Sequence, residues 1–377
     1  MCPPAFALDV LGVQQTVMSV SKVSPNVTLT RCATRLRDVS KQHSPRCIST
    51  ATQLLSFPEH RNSLRSSVLA QKHANQISTQ SNRTYFTMSN NAELQQSNIF
   101  NVKDKIALVT GGGSGIGLMI TQTLAVNGAK VYIVGRTEEK LEKVVEVHGQ
   151  DISGQIIPIV GDVQTKDGVQ KILKEVESRE KYLDILVNNA GIAYGKTNSK
   201  VESAEEFAKN MFGDTSEKAW LDTYQTNVVG PFLMGTAFLP LLAKGTEQTH
   251  GWSSTIVNIS SISGHIRISQ DHFSYNASKG ATIHVNKMLA TEIAKNGIKV
   301  RVNSIAPGVF PSEMTTQESS DKTQKSEMPK EKKEGLPAQR PGKDTDMAQS
   351  IMFVATCQYL NGQTITVDGG YSFQAGN

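Results

Sequence analysis

Residues 104–117 read DKIALVTGGGSGIG, and they carry the strongest structural signal in the chain. The apolar run Ile106–Val109 leads directly into a glycine turn, and an amphipathic helix is predicted near 115–128. Glycine suits such a turn because a β-carbon would keep the backbone from a close approach to a pyrophosphate. The helix that follows offers free N–H groups and a partial positive charge to the same anion. The stretch therefore predicts a strand–turn–helix unit that binds dinucleotide phosphates.

The same alternation of short apolar runs and longer amphipathic stretches continues to the C-terminal end. The predicted strands are Ile106–Val109, Lys130–Val134, Ile156–Val160, Ile185–Val187, Thr255–Ile259, Lys299–Ser304 and Thr364–Val367. The predicted helices lie near 115–128, 137–148, 167–179, 217–243, 272–297 and 343–356. Such alternation favours a parallel sheet covered on both faces and joined by right-handed crossovers. We predict one α/β domain over residues 100–377, with a doubly wound, parallel, seven-stranded sheet of the Rossmann type.

Residues 1–87 differ from the rest in composition. They contain ten Lys and Arg but three acids, a charge of +7, whereas the whole chain carries +5. Rich in Ser and Thr and without apolar periodicity, this leader is predicted to be disordered. Its Arg and Ser content and the run Arg83-Thr84-Tyr85-Phe86 are typical of a mitochondrial transit peptide. A plain extension, or sequence translated ahead of a start at Met88, are the alternatives, so the predicted location is cytoplasmic or mitochondrial.

Composition also argues against several classes of protein. The basic excess lies in the leader and not on a folded face, so nucleic-acid binding is not expected. The sequence contains no run of about 18 apolar residues, so no membrane span is predicted. The four cysteines show no metal-ligand spacing and the eight histidines no cluster, so neither a metal site nor a disulfide framework is predicted.

Two polar inserts interrupt the pattern, one at residues 315–338 and one near 196–216. The first, here called the flap, is dense in Lys, Glu, Gln, Ser and Thr. A solvated surface segment and a mobile lid over a site are both consistent with this composition.

The spacing of the glycine turn resembles that of the short-chain dehydrogenase/reductase family. Thr110 precedes Gly111-x-x-x-Gly115-x-Gly117, which differs from the G-x-G-x-x-G fingerprint of other dinucleotide sites. The resemblance covers about residues 100–377. It implies a cofactor site that includes Thr110, Gly111, Gly113, Ser114, Gly115, Ile116 and Gly117.

Tyr275 and Lys279 lie four residues apart on a predicted helix and therefore share one face. A phenol with a pKa near 10 exchanges its proton poorly at neutral pH, and an adjacent ammonium would lower that pKa. We predict that Tyr275 is the acid in carbonyl reduction and the base in alcohol oxidation. The resemblance implies that Lys279 also binds the nicotinamide ribose, that Ser261 holds the substrate oxygen, with Ser260 and Ser263 as rivals, and that Asn227 anchors a proton relay. An asparagine that bonds backbone at a helix kink is an alternative for Asn227.

The residues after the second strand, Gly135-Arg136, predict the cofactor. An NAD site places a carboxylate there for the ribose 2′-hydroxyl, whereas Arg136 can pair with a 2′-phosphate. We therefore predict NADP(H), with a surface arginine as the alternative. The resemblance adds Asp162, Val163, Asn189, Pro307, Gly308 and Ser312, besides Tyr275 and Lys279, as cofactor contacts. Asn188 is expected to combine loop structure with cofactor contact, and loop structure is favoured for Asn189.

The stretch 305–315, IAPGVFPSEMT, resembles the 3-oxoacyl-acyl-carrier-protein reductases, particularly those linked to rhamnolipid synthesis. This implies reduction of a 3-oxoacyl thioester, an acidic acyl-carrier protein as partner, and a homodimer or homotetramer built on the helices near 217–243 and 272–297. Another ketone, a steroid, a polyketide or a secondary alcohol are alternative substrates. A protein that senses NADP(H) without turnover is the alternative from another class.

Overall fold

A computed structural model describes residues 89–316, 322–328 and 336–376. Short helical turns at Asn90–Ala92 and Gln96–Ile99 come first. The strands are β1 (Ile106–Thr110), β2 (Lys130–Gly135), β3 (Gln155–Val160), β4 (Ile185–Asn188), β5 (Thr255–Ile259), β6 (Arg301–Pro307) and β7 (Thr364–Val367). The helices are α1 (Gly115–Val126), α2 (Glu138–His148), α3 (Lys166–Glu177), α4 (Ala204–Gly213), α5 (Glu217–Tyr224), α6 (Gly230–Ala237), α7 (Leu239–Gln248), α8 (Phe273–Lys295), α9 (Glu313–Thr316), α10 (Asp344–Thr356) and α11 (Tyr371–Ala375).

The strands form one parallel sheet in the order β3-β2-β1-β4-β5-β6-β7. The chain builds outward from β1 to β3, then crosses back and continues from β4 to β7. The carboxyl ends of β1 and β4 therefore flank the crevice where the winding direction changes. The predicted fold class is confirmed, and each of the seven predicted strands overlaps an observed one.

Side chains alternate along each strand, so they enter a core cluster on each face of the sheet, and helices cover both clusters. On β1, Ala107 and Val109 pack into one core cluster, which includes residues of α1, α2 and α10. Ile106 and Leu108 pack into the other cluster, which includes residues of α3, α6, α7 and α8. All five residues of β1 are buried, as expected for a central parallel strand.

The single helix predicted near 217–243 is wrong, because the structure breaks it twice. A π-helical turn, Gln225–Val229, separates α5 from α6, and a bend of 51° separates α6 from α7. Pro231 and Pro240 lie just after these breaks, and neither can donate the backbone hydrogen bond that a continuing helix needs. In the part of the chain that the structure describes, no single helix is long and apolar enough to cross a membrane, and this bent set alone passes that test jointly.

The insert near 196–216 is described in full and most of its side chains are exposed, which agrees with a solvated surface segment, whereas the flap is described only in part. The insert near 196–216 contains α4, which begins after the capping side chain of Ser203. In the flap, the described residues 322–328 bury Gln324, Ser326 and Met328. The backbone oxygen of Thr323 also lies 2.8 Å from Nε2 of His148 on α2. A purely solvated flap is therefore wrong for residues 322–328. The predictions for residues 1–87 and Met88 lie outside the described residues.

Candidate active site

A cleft of about 320 Å³ lies at the carboxyl ends of the central strands. Its walls come from the segments that follow β1, β2, β3, β4, β5 and β6 and from α8. The predicted site residues that line it are Gly111, Ser114, Gly115, Ile116, Arg136, Asp162, Val163, Asn189, Ser261, Tyr275, Lys279, Pro307, Gly308 and Ser312. The parallel topology thus brings together residues from 111 to 312 in one crevice.

The glycine turn has the shape of an anion cradle. Gly111 and Gly115 have φ angles of +65° and +52°, which L-residues rarely adopt. A β-carbon on Gly117 would lie 2.0 Å from the carbonyl oxygen of Gly111, so this glycine allows the helix to pack on the turn. The hydroxyl of Ser114, at the N-cap of α1, caps none of the first N–H groups of that helix. These N–H groups remain available to a phosphate, so the residues present fit a dinucleotide.

Thr110, Gly113 and Gly117 do not line the cleft but shape the turn. The hydroxyl of Thr110 accepts hydrogen bonds from the backbone N–H groups of Asn189 and Ala190, at 3.0 and 3.1 Å. The side chain of Asn189 donates to the carbonyl oxygens of Thr110 and Gly111. The loop after β4 is therefore tied to the loop after β1, which supports the loop function favoured for Asn189.

The position of Asn188 does not support the cofactor contact expected for it, because its side chain lies inside the fold. The side chain is 3% exposed and donates to Oδ1 of Asn258, at 2.9 Å, and to the carbonyl oxygen of Pro231. Asn188 therefore joins β4 to β5 and α6 inside the fold. Its neighbour Asn189 points to the other side of the strand end, as the alternation of side chains requires.

The end of β2 presents Arg136 to the cleft. Its side chain is exposed and has no ion-pair partner among the described residues. After β3, Asp162 accepts a hydrogen bond from the backbone N–H of Gln164 at 3.0 Å, and Val163 is buried. No carboxylate occupies the position directly after β2, and the guanidinium is available for an anion.

Ser261 and Tyr275 come together at the floor of the cleft. Burial raises the pKa of Tyr275, and the neighbouring Ser261 hydroxyl offsets part of that rise. The two rival serines have other partners: Ser260 bonds Ser304 and the carbonyl oxygen of Ile305, and Ser263 bonds Gln270. The position of Ser261 therefore suits contact with a substrate oxygen.

Lys279 lies behind the tyrosine and is 4% exposed. Its Nζ atom is 5.6 Å from the centre of the Tyr275 ring and donates to the carbonyl oxygen of Ile259 at 2.8 Å. Burial lowers the pKa of Lys279 to about 8. The net shift of the Tyr275 pKa is upward because burial dominates at the phenol, whereas the Lys279 ammonium lies beside the ring and donates to a carbonyl. A lowering of the Tyr275 pKa by Lys279 therefore stays a prediction.

Asn227 lies in the π-helical turn and outside the cleft lining. Its side chain accepts from the backbone N–H of Ile192 at 2.9 Å and donates to the Ile192 carbonyl and to the Ser278 hydroxyl. Its own carbonyl has lost the helical partner that Pro231 cannot supply, and it accepts from the Thr282 hydroxyl at 2.8 Å. Asn227 therefore couples the loop after β4 to α8, which agrees with the kink-asparagine alternative and leaves the relay a prediction.

The segment after β6 closes one side of the cleft. The backbone N–H of Gly308 donates to Val367, and a β-carbon there would meet Asp368 at 2.7 Å. Ser312 packs on the glycine turn, since a β-carbon on Gly115 would lie 2.8 Å from its Cβ. Pro307, Gly308 and Ser312 are thus adjacent to the predicted phosphate site.

Sequence reasoning missed two features of this site. Glu313 lines the cleft and forms an ion pair of 2.6 Å with Lys140, and no motif pointed to either residue. Gln270 and Asp271 both have positive φ angles, and the Asp271 carboxylate accepts from the backbone and the hydroxyl of Ser199. This loop clamps the 196–216 insert beside the start of α8, where strained backbone is typical of functional sites. Consecutive Gln and Asp give only a weak sequence signal for it.

Comparison with known proteins supports the family. The family model described as short chain dehydrogenase matches residues 105–323. "Short-chain dehydrogenase/reductase PhomF" of Diaporthe leptostromiformis is 36% identical over 279 residues, covering 72% of this chain and 92% of that protein. The "Rhamnolipids biosynthesis 3-oxoacyl-(acyl-carrier-protein) reductase" of Pseudomonas aeruginosa is 30% identical over 274 residues, covering 72% and 98%. A solved structure, the "Pseudomonas aeruginosa RhlG/NADP active-site complex", aligns with a TM-score of 0.62 at 30% identity, covering 72% and 98%.

A parallel doubly wound sheet, a glycine cradle and a tyrosine–lysine pair in one cleft define an oxidoreductase that binds a nicotinamide cofactor. The chain belongs to the short-chain dehydrogenase/reductase family.

Proposed function

We propose that the protein is an NADPH-dependent reductase of ketones, with 3-oxoacyl thioesters as its principal substrates. The observation that carries this proposal is the convergence of Ser261, Tyr275 and Lys279 on the cleft into which Arg136 also projects. The relatives named as 3-oxoacyl-acyl-carrier-protein reductases and the neighbour solved with NADP support the substrate class and the cofactor. The domain that performs the reaction is residues 100–377.

A bound nicotinamide supplies the hydride that reduces the carbonyl carbon. The glycine turn and the open N-terminus of α1 hold the phosphates, and Arg136 pairs with the 2′-phosphate. Asp162, Val163, Pro307, Gly308 and Ser312 line the remaining cofactor surface. The buried Lys279 is positioned for the nicotinamide ribose, as the family resemblance implies.

The proton chemistry belongs to Tyr275. The phenol is protonated at neutral pH, which is the form that donates to a carbonyl oxygen, although burial raises its pKa and so opposes the donation. The Lys279 ammonium beside the ring offsets this by stabilising the phenolate that remains. Ser261 holds the same oxygen through its hydroxyl. Lys279, with a pKa of about 8, can exchange protons near neutral pH and return one to the phenolate. The product is a 3-hydroxyacyl thioester, and the reverse reaction uses Tyr275 as the base.

The partners follow from this chemistry. An acyl-carrier protein is strongly acidic and would deliver the thioester to the open side of the cleft. We also propose a homodimer or homotetramer, supported by exposed apolar side chains on α5, α6 and α8, namely Leu221, Phe232, Phe273 and Met288. The leader remains a proposed transit peptide or extension, and mass spectrometry of the native N-terminus decides between mitochondrial and cytoplasmic protein.

A substrate screen tests the proposal. Purified protein is supplied with NADPH and a panel of 3-oxoacyl thioesters, steroid ketones, polyketide carbonyls and simple ketones, and loss of NADPH absorbance is recorded. We expect the highest kcat/KM with a 3-oxoacyl thioester. Tight NADPH binding without turnover of any ketone would favour the sensor alternative, and a preference for another ketone would replace the substrate class.

A further inference from the structure

Glu313 places a carboxylate at the mouth of the dinucleotide cleft. Its Oε2 atom accepts a hydrogen bond from the Ser114 hydroxyl at 3.2 Å, and its Oε1 atom accepts from Nζ of Lys140 at 2.6 Å. The carboxylate therefore bridges the glycine turn and the first turn of α2, two elements that adjoin the predicted phosphate site. Residues 140 and 313 are far apart in sequence, and the fold alone brings them together.

The Glu313 carboxylate lies at the N-terminus of α1, which favours an anion. Ser114 is the N-cap of the twelve-residue helix α1, and its side chain leaves the first N–H groups of the helix uncapped. The partial positive charge of a helix N-terminus attracts a carboxylate and a phosphate alike. Since both carry negative charge, a cofactor phosphate and the Glu313 carboxylate compete for the same surroundings.

Lys140 lies shortly after the end of β2, near the glycine turn. It follows β2 and Arg136 in one short segment, and the end of β2 is where such folds recognise the ribose 2′ position. It also adjoins the turn, because a β-carbon on Gly113 would lie 3.9 Å from the β-carbon of Lys140. Lys140 is not itself among the residues that line the cleft, but it follows the cleft residue Arg136 by four positions and is paired with the cleft residue Glu313.

We propose that Glu313 is an internal counter-ion of Lys140 that the 2′-phosphate of NADPH replaces, and that Lys140, released from it, becomes a second ligand of the 2′-phosphate beside Arg136. The inference rests on the proposed NADPH preference and deepens it. NADPH exchanges one ionic partner of Lys140 for another, whereas NADH has no 2′-phosphate and leaves the Lys140–Glu313 pair in place. Lys140 thus contributes to the selectivity for NADPH, and its pair with Glu313 opposes NADPH binding more than NADH binding.

Equilibrium binding tests the counter-ion, with dissociation constants for NADPH and NADH measured by fluorescence titration of the full chain. Both partners are partly exposed, so we expect Glu313→Gln to tighten NADPH binding by roughly fivefold and NADH binding by less. Glu139→Gln, on the exposed first turn of α2, makes the same change in net charge and should leave both constants within about twofold. Unchanged or weaker NADPH binding in Glu313→Gln would overturn the counter-ion.

The lysine is tested separately. We expect Lys140→Met to weaken NADPH binding by roughly tenfold and NADH binding by less than threefold. Lys143→Met, which removes a lysine paired with Glu146 on the same helix, is the matched control. An equal loss for both cofactors overturns the 2′-phosphate contact. If the wild type binds neither cofactor, the proposed function itself fails; if it prefers NADPH and these variants leave that preference intact, only this inference fails.

Discussion

The Nζ atom of Lys279 donates a hydrogen bond to the carbonyl oxygen of Ile259, 2.8 Å away, at the last residue of β5. This hydrogen bond holds the Lys279 amine against the end of a central strand, where it is almost fully buried. Burial penalises its charged form and lowers the pKa to about 8. The arrangement keeps a proton donor near neutral pH at the cost of some stability.

That cost predicts a dependence of stability on pH. In the unfolded chain Lys279 regains its ordinary pKa of 10.5, so between about pH 8 and 10.5 the unfolded state binds more protons than the folded state. The contribution of Lys279 to the free energy of unfolding therefore rises with pH across this range. We expect urea unfolding to show wild type gaining stability relative to Lys279→Met from pH 8 to 10. The exposed Lys295→Met should track wild type. Parallel curves for wild type and Lys279→Met would contradict the lowered pKa.

Arg136 is expected to set the choice between the two nicotinamide cofactors. Its guanidinium stands directly after β2, where a carboxylate would repel a 2′-phosphate. We expect Arg136→Ala to weaken NADPH binding by roughly 10–100-fold and NADH binding by only a few fold. Arg179→Ala removes an exposed arginine paired with Glu175 on α3 and serves as the control for net charge. Equal losses for both cofactors would rule out the 2′-phosphate contact.

Gly117 tests whether the shape of the turn depends on a missing side chain. A β-carbon there would lie 2.0 Å from the Gly111 carbonyl oxygen, so the turn must move to admit it. We expect Gly117→Ala to lower the free energy of unfolding by roughly 1–3 kcal/mol and to reduce NADPH affinity. A β-carbon on Gly213 meets nothing within 4 Å, so Gly213→Ala should change neither quantity appreciably. Thermal unfolding and cofactor titration measure the two effects. Wild-type stability and NADPH affinity in Gly117→Ala would refute the packing argument.

Asn227 is expected to act as a positioning residue. Its side chain makes three hydrogen bonds that join Ile192 to Ser278, the residue before Lys279. Because Asn227→Ala leaves the N–H and carbonyl groups of the half-buried Ile192 without their side-chain partner, we expect a loss of roughly 1–3 kcal/mol of stability. Below the new melting temperature we also expect a fall in kcat with the KM for NADPH nearly unchanged. Asn210→Ala, which removes one exposed bond to Asn198, controls for the substitution. A loss of stability with kcat intact would make Asn227 purely structural.

Much of the fold could be predicted because buried parallel strands are short, continuous apolar runs that local sequence reveals. The cleft residues could be placed because the motifs with Thr110, Asn189 and Tyr275 each stand at the end of a strand or at the start of a helix, and parallel topology brings those ends together. A motif at the end of a predicted strand could therefore be placed in the cleft from its spacing alone.

The remainder depends on contacts that spacing does not encode. The Lys140–Glu313 pair joins two surface segments, and nothing local to either residue signals the other. The raised pKa of Tyr275 reflects burial, whereas the sequence revealed only a nearby lysine. Pro231 is a sequence signal for the break at Gln225–Val229, because proline cannot donate to the Asn227 carbonyl. The apolar periodicity across the break nevertheless predicted one continuous helix.

The role of the Tyr275 phenol as proton donor can be measured directly. The measurement compares wild type, Tyr275→Phe and the exposed control Tyr359→Phe in NADPH affinity and in the single-turnover rate of the best ketone substrate. We expect Tyr275→Phe to bind NADPH within a few fold of wild type and to reduce the ketone roughly 100–10,000-fold more slowly, with Tyr359→Phe unaffected. Reduction by Tyr275→Phe at the wild-type rate would contradict the assignment of Tyr275 as the proton donor.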